Sequence, residues 1–234
     1  MRNVNPNIDP IEIAKFSQSA QNWWDPTGEF KALHDINPLR IQYIQQNVSL
    51  LGKKIVDVGT GGGLLAEELA KNGGDVTGID MSEAALTVAK MHLLESNLPV
   101  EYKLITAEEL ALIEPEKYDV VTCLEMLEHV PDPSSIVRAC AQLVKPGGHI
   151  FFSTLNRNVK SYLFAILGAE YILKLIPKNT HDFAKFIRPS ELNRWLREAD
   201  LKTIGMKGLS YDPFKKHYFL SDDLSVNYFV HVKK

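Results

Sequence analysis

The chain is 234 residues long, 45% hydrophobic and 24% charged, with 26 Lys+Arg against 29 Asp+Glu for a formal net charge of −3. A chain of this length buries roughly 70–75% of its unfolded surface, enough for one core without disulfides or a structural metal. The near-neutral balance lacks the basic face that duplex nucleic acid requires, so no nucleic-acid partner is expected. Cys123 and Cys140 are too few for a disulfide framework and stand in no zinc-type spacing. The first thirty residues hold no apolar run of the signal-peptide kind, and a reducing, cytoplasmic setting is expected.

In chain order, residues 10–22 read as an N-terminal helix, followed by a strand at 55–58 that closes on a glycine cluster. A helix at 64–71 and a strand at 75–79 come next. Residues 82–95 read as a helix with Ser82 as N-cap and Ala85, Ala89 and Leu93 recurring at helical spacing. Strands are expected at 100–105 and 118–124, the latter almost continuously apolar, as suits a strand covered on both faces. A helix at 133–144 is stopped by Lys145-Pro146-Gly147-Gly148, and a fifth strand follows at 149–155. Beyond an apolar stretch lie a helix at 189–199 and strands at 202–211 and 226–234, expected to pair as a terminal antiparallel hairpin across a turn-rich stretch at 212–223. Strands alternating with helices imply a doubly wound, mostly parallel α/β sheet of Rossmann-like type, with ligands at the carboxyl ends of its strands. The whole is read as one domain: a helical cap at 1–45, a cofactor-binding core at 46–155, an apolar insertion at 156–188, and a C-terminal helix and strands at 189–234.

Asp57-Val58-Gly59-Thr60-Gly61-Gly62-Gly63 stands where a strand becomes a helix. Glycines there let the backbone turn sharply and come close to a ligand. Asp80, 21 residues after Gly59, stands just past the end of the next strand, where a carboxylate can accept from ribose hydroxyls. A dinucleotide would bring a pyrophosphate against Asp57, which is repulsive; S-adenosylmethionine has no phosphate and is cationic at its ammonium and sulfonium. Asp57 therefore favours S-adenosyl-L-methionine, although Gly61-x-Gly63-x-x-Ala66 also satisfies the looser dinucleotide pattern.

These motifs, with Lys145-Pro146-Gly147-Gly148, resemble class I adenosylmethionine-dependent methyltransferases. The likeness narrows with Trp23-Trp24-Asp25, Gly28-Glu29-Phe30, Leu33-His34, Ile36-Asn37-Pro38-Leu39-Arg40, then Glu125-Met126-Leu127-Glu128-His129-Val130-Pro131-Asp132-Pro133 and Ser153-Thr154-Leu155-Asn156-Arg157. Over nearly the whole chain the sequence resembles the ubiquinone biosynthesis O-methyltransferase family. One departure is Thr60, where the family usually carries Cys; Thr is of similar size and leaves the glycines intact.

The resemblance implies that Arg40, Gly59, Asp80 and Leu124 contact the cofactor, with Asp57, Gly61 and Met81 beside them. Arg40 suits a bidentate pair with a carboxylate, the alternative being a surface ion pair. Leu124 would border the adenine or methionine pocket, or else belong simply to the core.

Glu125, Glu128 and His129 fall at i, i+3 and i+4, so a helical turn would present all three on one face at the sheet's carboxyl edge. Methyl transfer needs an oxygen aligned with the methyl group, and a phenol of pKa near 10 needs a base or a Lewis acid to react at neutral pH. His129 is the candidate base, and Glu128 is a candidate catalytic residue beside it in sequence. Alternatively Glu125, Glu128 and His129 hold a divalent ion such as Mg2+, the assignment that the family's eukaryotic members imply; the structural alternative is a capping Glu128 and a hydrogen-bonded His129. His34 and His181 are lesser candidates for the substrate pocket and a lid, and Trp23 and Trp24 either cover the site or pack.

Residues 162–176 are apolar except for Glu170 and Lys174. Fifteen helical residues reach about 22 Å, short of the roughly 30 Å hydrocarbon core, so the segment is expected to lie in a membrane interface, or else to pack over the sheet or in a dimer contact. The resemblance implies a polyprenylated phenol or quinol as substrate, hence peripheral contact with an anionic membrane surface through residues 159–180 and partnership with other ubiquinone-synthesis proteins. A soluble catechol-like acceptor, or a non-catalytic cofactor-binding subunit, are the alternatives.

Overall fold

The structure, a computed structural model, describes residues 7–161 and 182–234. Eight strands form one sheet in the order β3-β2-β1-β4-β5-β8-β6-β7. The first five, β1 (Lys54–Val58), β2 (Asp75–Asp80), β3 (Val100–Leu104), β4 (Tyr118–Leu124) and β5 (Val144–Leu155), pair in parallel. β8 (Asn227–Lys233) runs antiparallel between β5 and β6 (Lys202–Asp212), and β7 (His217–Ser221) closes the edge against β6. The doubly wound class expected from alternating strands and helices is what forms, with the antiparallel strands at its C-terminal end.

Successive strand residues feed opposite layers, as the period of two requires. Ile55, Val120, Phe151 and Phe229 join the cluster with Ile36 and Ile44 of α2 (Lys31–Gln45), Leu69 of α3 (Leu64–Lys71) and Leu86 of α4 (Glu83–Ser96). Val56, Val121, Phe152 and Val230 join the cluster with Leu110 of α5 (Ala107–Ile113), Ile136 of α6 (Pro133–Leu143) and Leu196 of α8 (Pro189–Glu198). Burial on both faces explains the continuous apolarity of β4. Each fully buried side chain here contributes about 1.5–3 kcal/mol.

Three elements escape the sequence reading. α2 carries Pro38 inside it, which breaks the helical pattern because Pro38 has no N–H for the carbonyl one turn back. α5 is short, and its start is marked only by Thr106, which with Glu109 forms a capping box. β7 lies within the stretch read as turns, so the terminal pairing is a three-stranded antiparallel unit rather than a hairpin. β5 also starts earlier than expected: Val144 pairs with Tyr118, and the register then shifts over the Pro-Gly-Gly stretch, with Gly147 at φ 77°, before His149 pairs with Val120.

The sheet order reverses between β1 and β4, and the crevice beyond their carboxyl ends is where a doubly wound sheet receives its ligand. Over that crevice lies the N-terminal cap. α1 (Pro10–Ser19) starts on Asp9, whose carboxylate accepts from the N–H groups of Ile11 and Glu12, and a 3-10 turn over Ala20–Asn22 completes the helix expected at 10–22. A helical turn, α7 (Val159–Ser161), follows β5. The apolar run at 162–176, with His181, lies outside the described residues. No helix among the described residues is long and apolar enough to cross a membrane.

Candidate active site

A cavity of about 870 Å³ opens at the carboxyl ends of β1, β2 and β4. Its floor is the turn after β1. Gly59, Gly61 and Gly63 all adopt left-handed φ, of 75°, 54° and 88°. A Cβ on Gly59 would sit 2.6 Å from Met126 Cγ, and one on Gly61 2.2 Å from the Trp23 ring, so these two positions admit nothing larger. The amides of Gly59 and Thr60 both donate to the carbonyl of Ile79, strapping the turn to the end of β2.

Asp80 stands at that end. Its Oδ2 accepts from the Gly61 N–H at 2.8 Å and its Oδ1 from the Ser82 N–H at 2.8 Å; burial raises its pKa. Asp57, at the base of the turn, is buried, accepts from Thr122 Oγ1 at 2.7 Å, and is likewise raised by burial. Met81 and Leu124 line the same cavity. So do Ile105, Thr106 and Ala107, beyond the end of β3, which sequence reasoning missed; the Thr106-x-x-Glu109 box was the signal that a strand-to-helix turn starts there.

Arg40 reaches the cavity from α2. It is 5% exposed, and its Nε has no hydrogen-bond partner. Burial lowers its pKa while Glu125, Asp57 and Glu128 favour its charge. A buried donor left unmade costs about 1–3 kcal/mol, more when charged, so this one is poised for an anionic acceptor.

The three residues expected on one face are turned apart. Glu125 takes φ 53° and its carboxylate meets Ser153 Oγ at 2.5 Å and Asn227 Nδ2 at 3.0 and 3.1 Å. Glu128 accepts from Thr154 Oγ1 at 2.8 Å. Ser153 and Thr154 are consecutive on β5 and face opposite sides of the sheet, which carries Glu125 and Glu128 apart. Glu128 is buried, does not line the cavity, and is pushed up to about 8 by burial and then by Glu125. His129 does line the cavity, with Nδ1 2.9 Å from Glu12 Oε2. The left-handed Glu125 and the 3-10 turn over Leu127–His129 replace the helical turn on which the shared face depended.

That corrects the expectation of a joint ligand set. Glu125, Glu128 and His129 do not converge, and among the described residues no group of three or more His, Cys, Asp or Glu side chains is placed to hold a metal ion. As placed, the three do not form the near-octahedral set of oxygens that Mg2+ wants, and His129 Nδ1 meets Glu12 instead.

The aromatic cap divides its work. Trp23 stacks on Phe30 at 4.3 Å and lines the cavity. Trp24 turns away, donating from Nε1 to the Gly62 carbonyl at 2.9 Å and stacking on His92. His34 is not a cavity residue: its Nε2 meets the Trp23 carbonyl at 2.9 Å and so braces the cap. The cavity's far wall is C-terminal, where Leu209, Tyr211 and Tyr218 contribute from β6 and β7.

Comparison with known proteins identifies the family. The family described as Methyltransferase domain matches residues 34–205. The chain is 60% identical over 228 residues to the ubiquinone biosynthesis O-methyltransferase of Stutzerimonas stutzeri, spanning 97% of this chain and 98% of that protein. It is 63% identical over 226 residues to that of Alkalilimnicola ehrlichii, spanning 96% and 92%. Among solved structures, the magnesium protoporphyrin IX methyltransferase of Synechocystis with bound SAH superposes with TM-score 0.67 at 17% identity over 94% of each chain. A SAM-dependent methyltransferase of Thermotoga maritima gives TM-score 0.66 at 18% identity over 96% of this chain and 98% of that one. At such identities the structural likeness speaks for the fold.

Proposed function

Because the chain belongs to the ubiquinone biosynthesis O-methyltransferase family, we propose how its own residues carry the S-adenosylmethionine-dependent O-methylation of a polyprenylated phenol in ubiquinone biosynthesis. The observation that carries the reading is that a single cavity is lined both by the glycine turn with its acids and by His129. At about 870 Å³ it lies toward the upper end of the roughly 300–1,000 Å³ range of ligand pockets, which suits two molecules side by side.

S-adenosylmethionine, when bound, supplies the methyl group from its sulfonium. Arg40 would take its carboxylate, Asp57 would balance its ammonium charge, and Asp80 would accept from its ribose hydroxyls. Gly59 and Gly61 admit it against the backbone, and Met81 and Leu124 border its pocket. This assignment fits the observed donor set: a buried guanidinium with an orphaned Nε, and two carboxylates that burial makes costly until a cation or hydroxyl meets them.

His129 takes the proton of the acceptor phenol. With Nδ1 held by the Glu12 carboxylate, Nε2 is the nitrogen able to receive it. Deprotonation turns a phenol of pKa near 10 into a good nucleophile at neutral pH, and holding it in line at about 3–3.5 Å supplies much of the remaining acceleration. Trp23, Tyr211 and Tyr218 provide aromatic walls for the ring. The test is methyl transfer to a catechol with and without a prenyl tail. His129→Gln should lower kcat by about 100-fold or more while leaving adenosylhomocysteine affinity within about threefold. An unchanged kcat would remove His129 from the chemistry.

The tail also motivates a reading of location. We infer peripheral, reversible contact with an anionic membrane surface through residues 159–180, of which 159–161 are described and include the exposed Val159. A second feature supports it: the turn between β6 and β7, whose flanking Tyr211 and Tyr218 line the cavity, presents Phe214 at 97% exposure beside Lys215 and Lys216. Aromatic and basic side chains together suit a headgroup boundary. Flotation with anionic vesicles tests it: replacing Phe164, Ile166 and Leu167 by Ser in a folded protein should abolish binding, and unchanged binding would sink the idea.

A further inference from the structure

We propose that Glu12 is a positioning residue that fixes the proton of His129 on Nδ1, and that Lys185 enforces this by claiming the other oxygen of the same carboxylate. The inference rests on the reading of His129 as base. Glu12 belongs to the first turn of α1, is 7% exposed, and reaches across 117 residues of sequence to place Oε2 2.9 Å from His129 Nδ1. Its Oε1 lies 3.1 Å from Lys185 Nζ, and Lys185 is tied in turn to Asp9 Oδ2 at 3.0 Å. Phe16, one turn further along α1, meets the imidazole edge-on at 5.0 Å and limits its tilt.

The chemistry follows from what each group can offer. The hydrogen bond from His129 and then that from Lys185 hold the Glu12 carboxyl far below the usual range, at about 2, so it is ionised and can only accept. Nδ1 must therefore donate, and in the neutral ring the lone pair is left on Nε2. An ammonium can only donate, so Oε1 must stay an acceptor as well.

These two demands make glutamine a wrong substitute of a particular kind. The amide of Glu12→Gln has one oxygen, and Lys185 claims it. The NH2 then faces Nδ1, which must accept, and the ring proton moves to Nε2. The base is lost with the fold and the cavity intact. Removing the ammonium as well, in Glu12→Gln/Lys185→Met, frees the amide to rotate and return its oxygen to Nδ1. Lys15, at 3.4 Å from Oε1 and 42% exposed at its side chain, holds that oxygen less strictly.

The experiment measures kcat and KM for a prenylated catechol, adenosylhomocysteine binding by calorimetry, and the 15N shifts of His129, assigned by their loss in His129→Gln. Glu12→Gln should lower kcat about 100-fold or more with KM and cofactor affinity within about threefold. Glu12→Asp, which remains acceptor-only, should retain more activity than Glu12→Gln. The double variant should recover kcat about tenfold over Glu12→Gln. In the unaltered protein Nδ1 should show the protonated, pyrrole-type shift, a readout that involves no change at Glu12 or Lys185. A wild-type ring protonated on Nε2, or a double variant no faster than Glu12→Gln, would overturn the proposal while leaving His129 as base. Full activity of His129→Gln would overturn the base reading and this one with it.

Discussion

Replacing Arg40 by Met removes a guanidinium that the fold buries without giving its Nε a partner. Met matches much of the stem's volume, so the packing of α2 against α3 is largely kept, and the change falls on charge. The guanidinium is attracted to Glu125, Asp57 and Glu128, and its Nε hydrogen-bonds to none of them. Its desolvation is thus only partly offset before ligand arrives. Losing one partner of a buried, charge-assisted pair costs about 2–4 kcal/mol, which is roughly 30- to 700-fold in dissociation constant. Calorimetry with adenosylhomocysteine should show that loss. The discriminating control is 5′-methylthioadenosine, which lacks the amino-acid carboxylate: its affinity should change by less than about threefold. Arg40→Lys should fall between, since an ammonium supplies charge without the bidentate fork. If both ligands weaken equally, Arg40 acts on the fold or the adenosine end, and the carboxylate assignment is wrong.

The same geometry fixes three further outcomes. Gly61→Ala forces a left-handed alanine at φ 54° and drives its Cβ into the Trp23 ring, breaking the Trp23–Phe30 stack; a cost of about 2–3 kcal/mol should lower Tm by roughly 4–12 °C, and a shift under about 1 °C in scanning calorimetry would contradict it. Asp80→Ala removes the acceptor for the Gly61 and Ser82 amides and the expected ribose acceptor together, so adenosylhomocysteine and methylthioadenosine should both weaken by about tenfold or more in calorimetry, unlike the Arg40 variant. The pH profile of stability should carry two opposed signs. His231, lowered to about 4 by burial, binds fewer protons folded than unfolded, so stability rises with pH from about 4 to 6.5. Glu128, raised to about 8, binds more protons folded, so stability falls as pH rises from the usual carboxylate range to about 8. Above pH 6.5 only the second operates among these two, and Glu128→Gln, which cannot ionise, should flatten the decline between pH 6.5 and 8; parallel melting profiles for variant and parent would refute the assignment.

Which of these residues the sequence could announce depends on how local their causes are. The glycine turn, Asp57 and Asp80 are legible because strand, turn and helix are consecutive, and the backbone geometry that requires glycine also positions the ligand. The parallel, doubly wound class follows from the alternation of strands and helices. α2 and β7 stay hidden for local reasons of another kind: Pro38 interrupts one pattern, and Asp212-Pro213 masks the strand behind it.

The environment of His129 is different in kind. Spacing at i, i+3 and i+4 carries meaning only if the segment is helical, and Glu125 enters left-handed, with Leu127–His129 tightening into a 3-10 turn. The neighbour that matters, Glu12, comes from a helix more than a hundred residues earlier and is brought there because α1 folds over the crevice. In the sequence Glu12 is an acid in an amphipathic first turn, indistinguishable from a residue that favours the helix dipole. Its role exists only once the sheet has put β4 beneath the cap. The glycine turn and its acids are thus built by segments that carry their own signature, whereas the half that would handle the proton is assembled across the chain. Substitutions at the glycine turn should therefore act on cofactor affinity, and those in α1 on turnover, even though both line a single cavity.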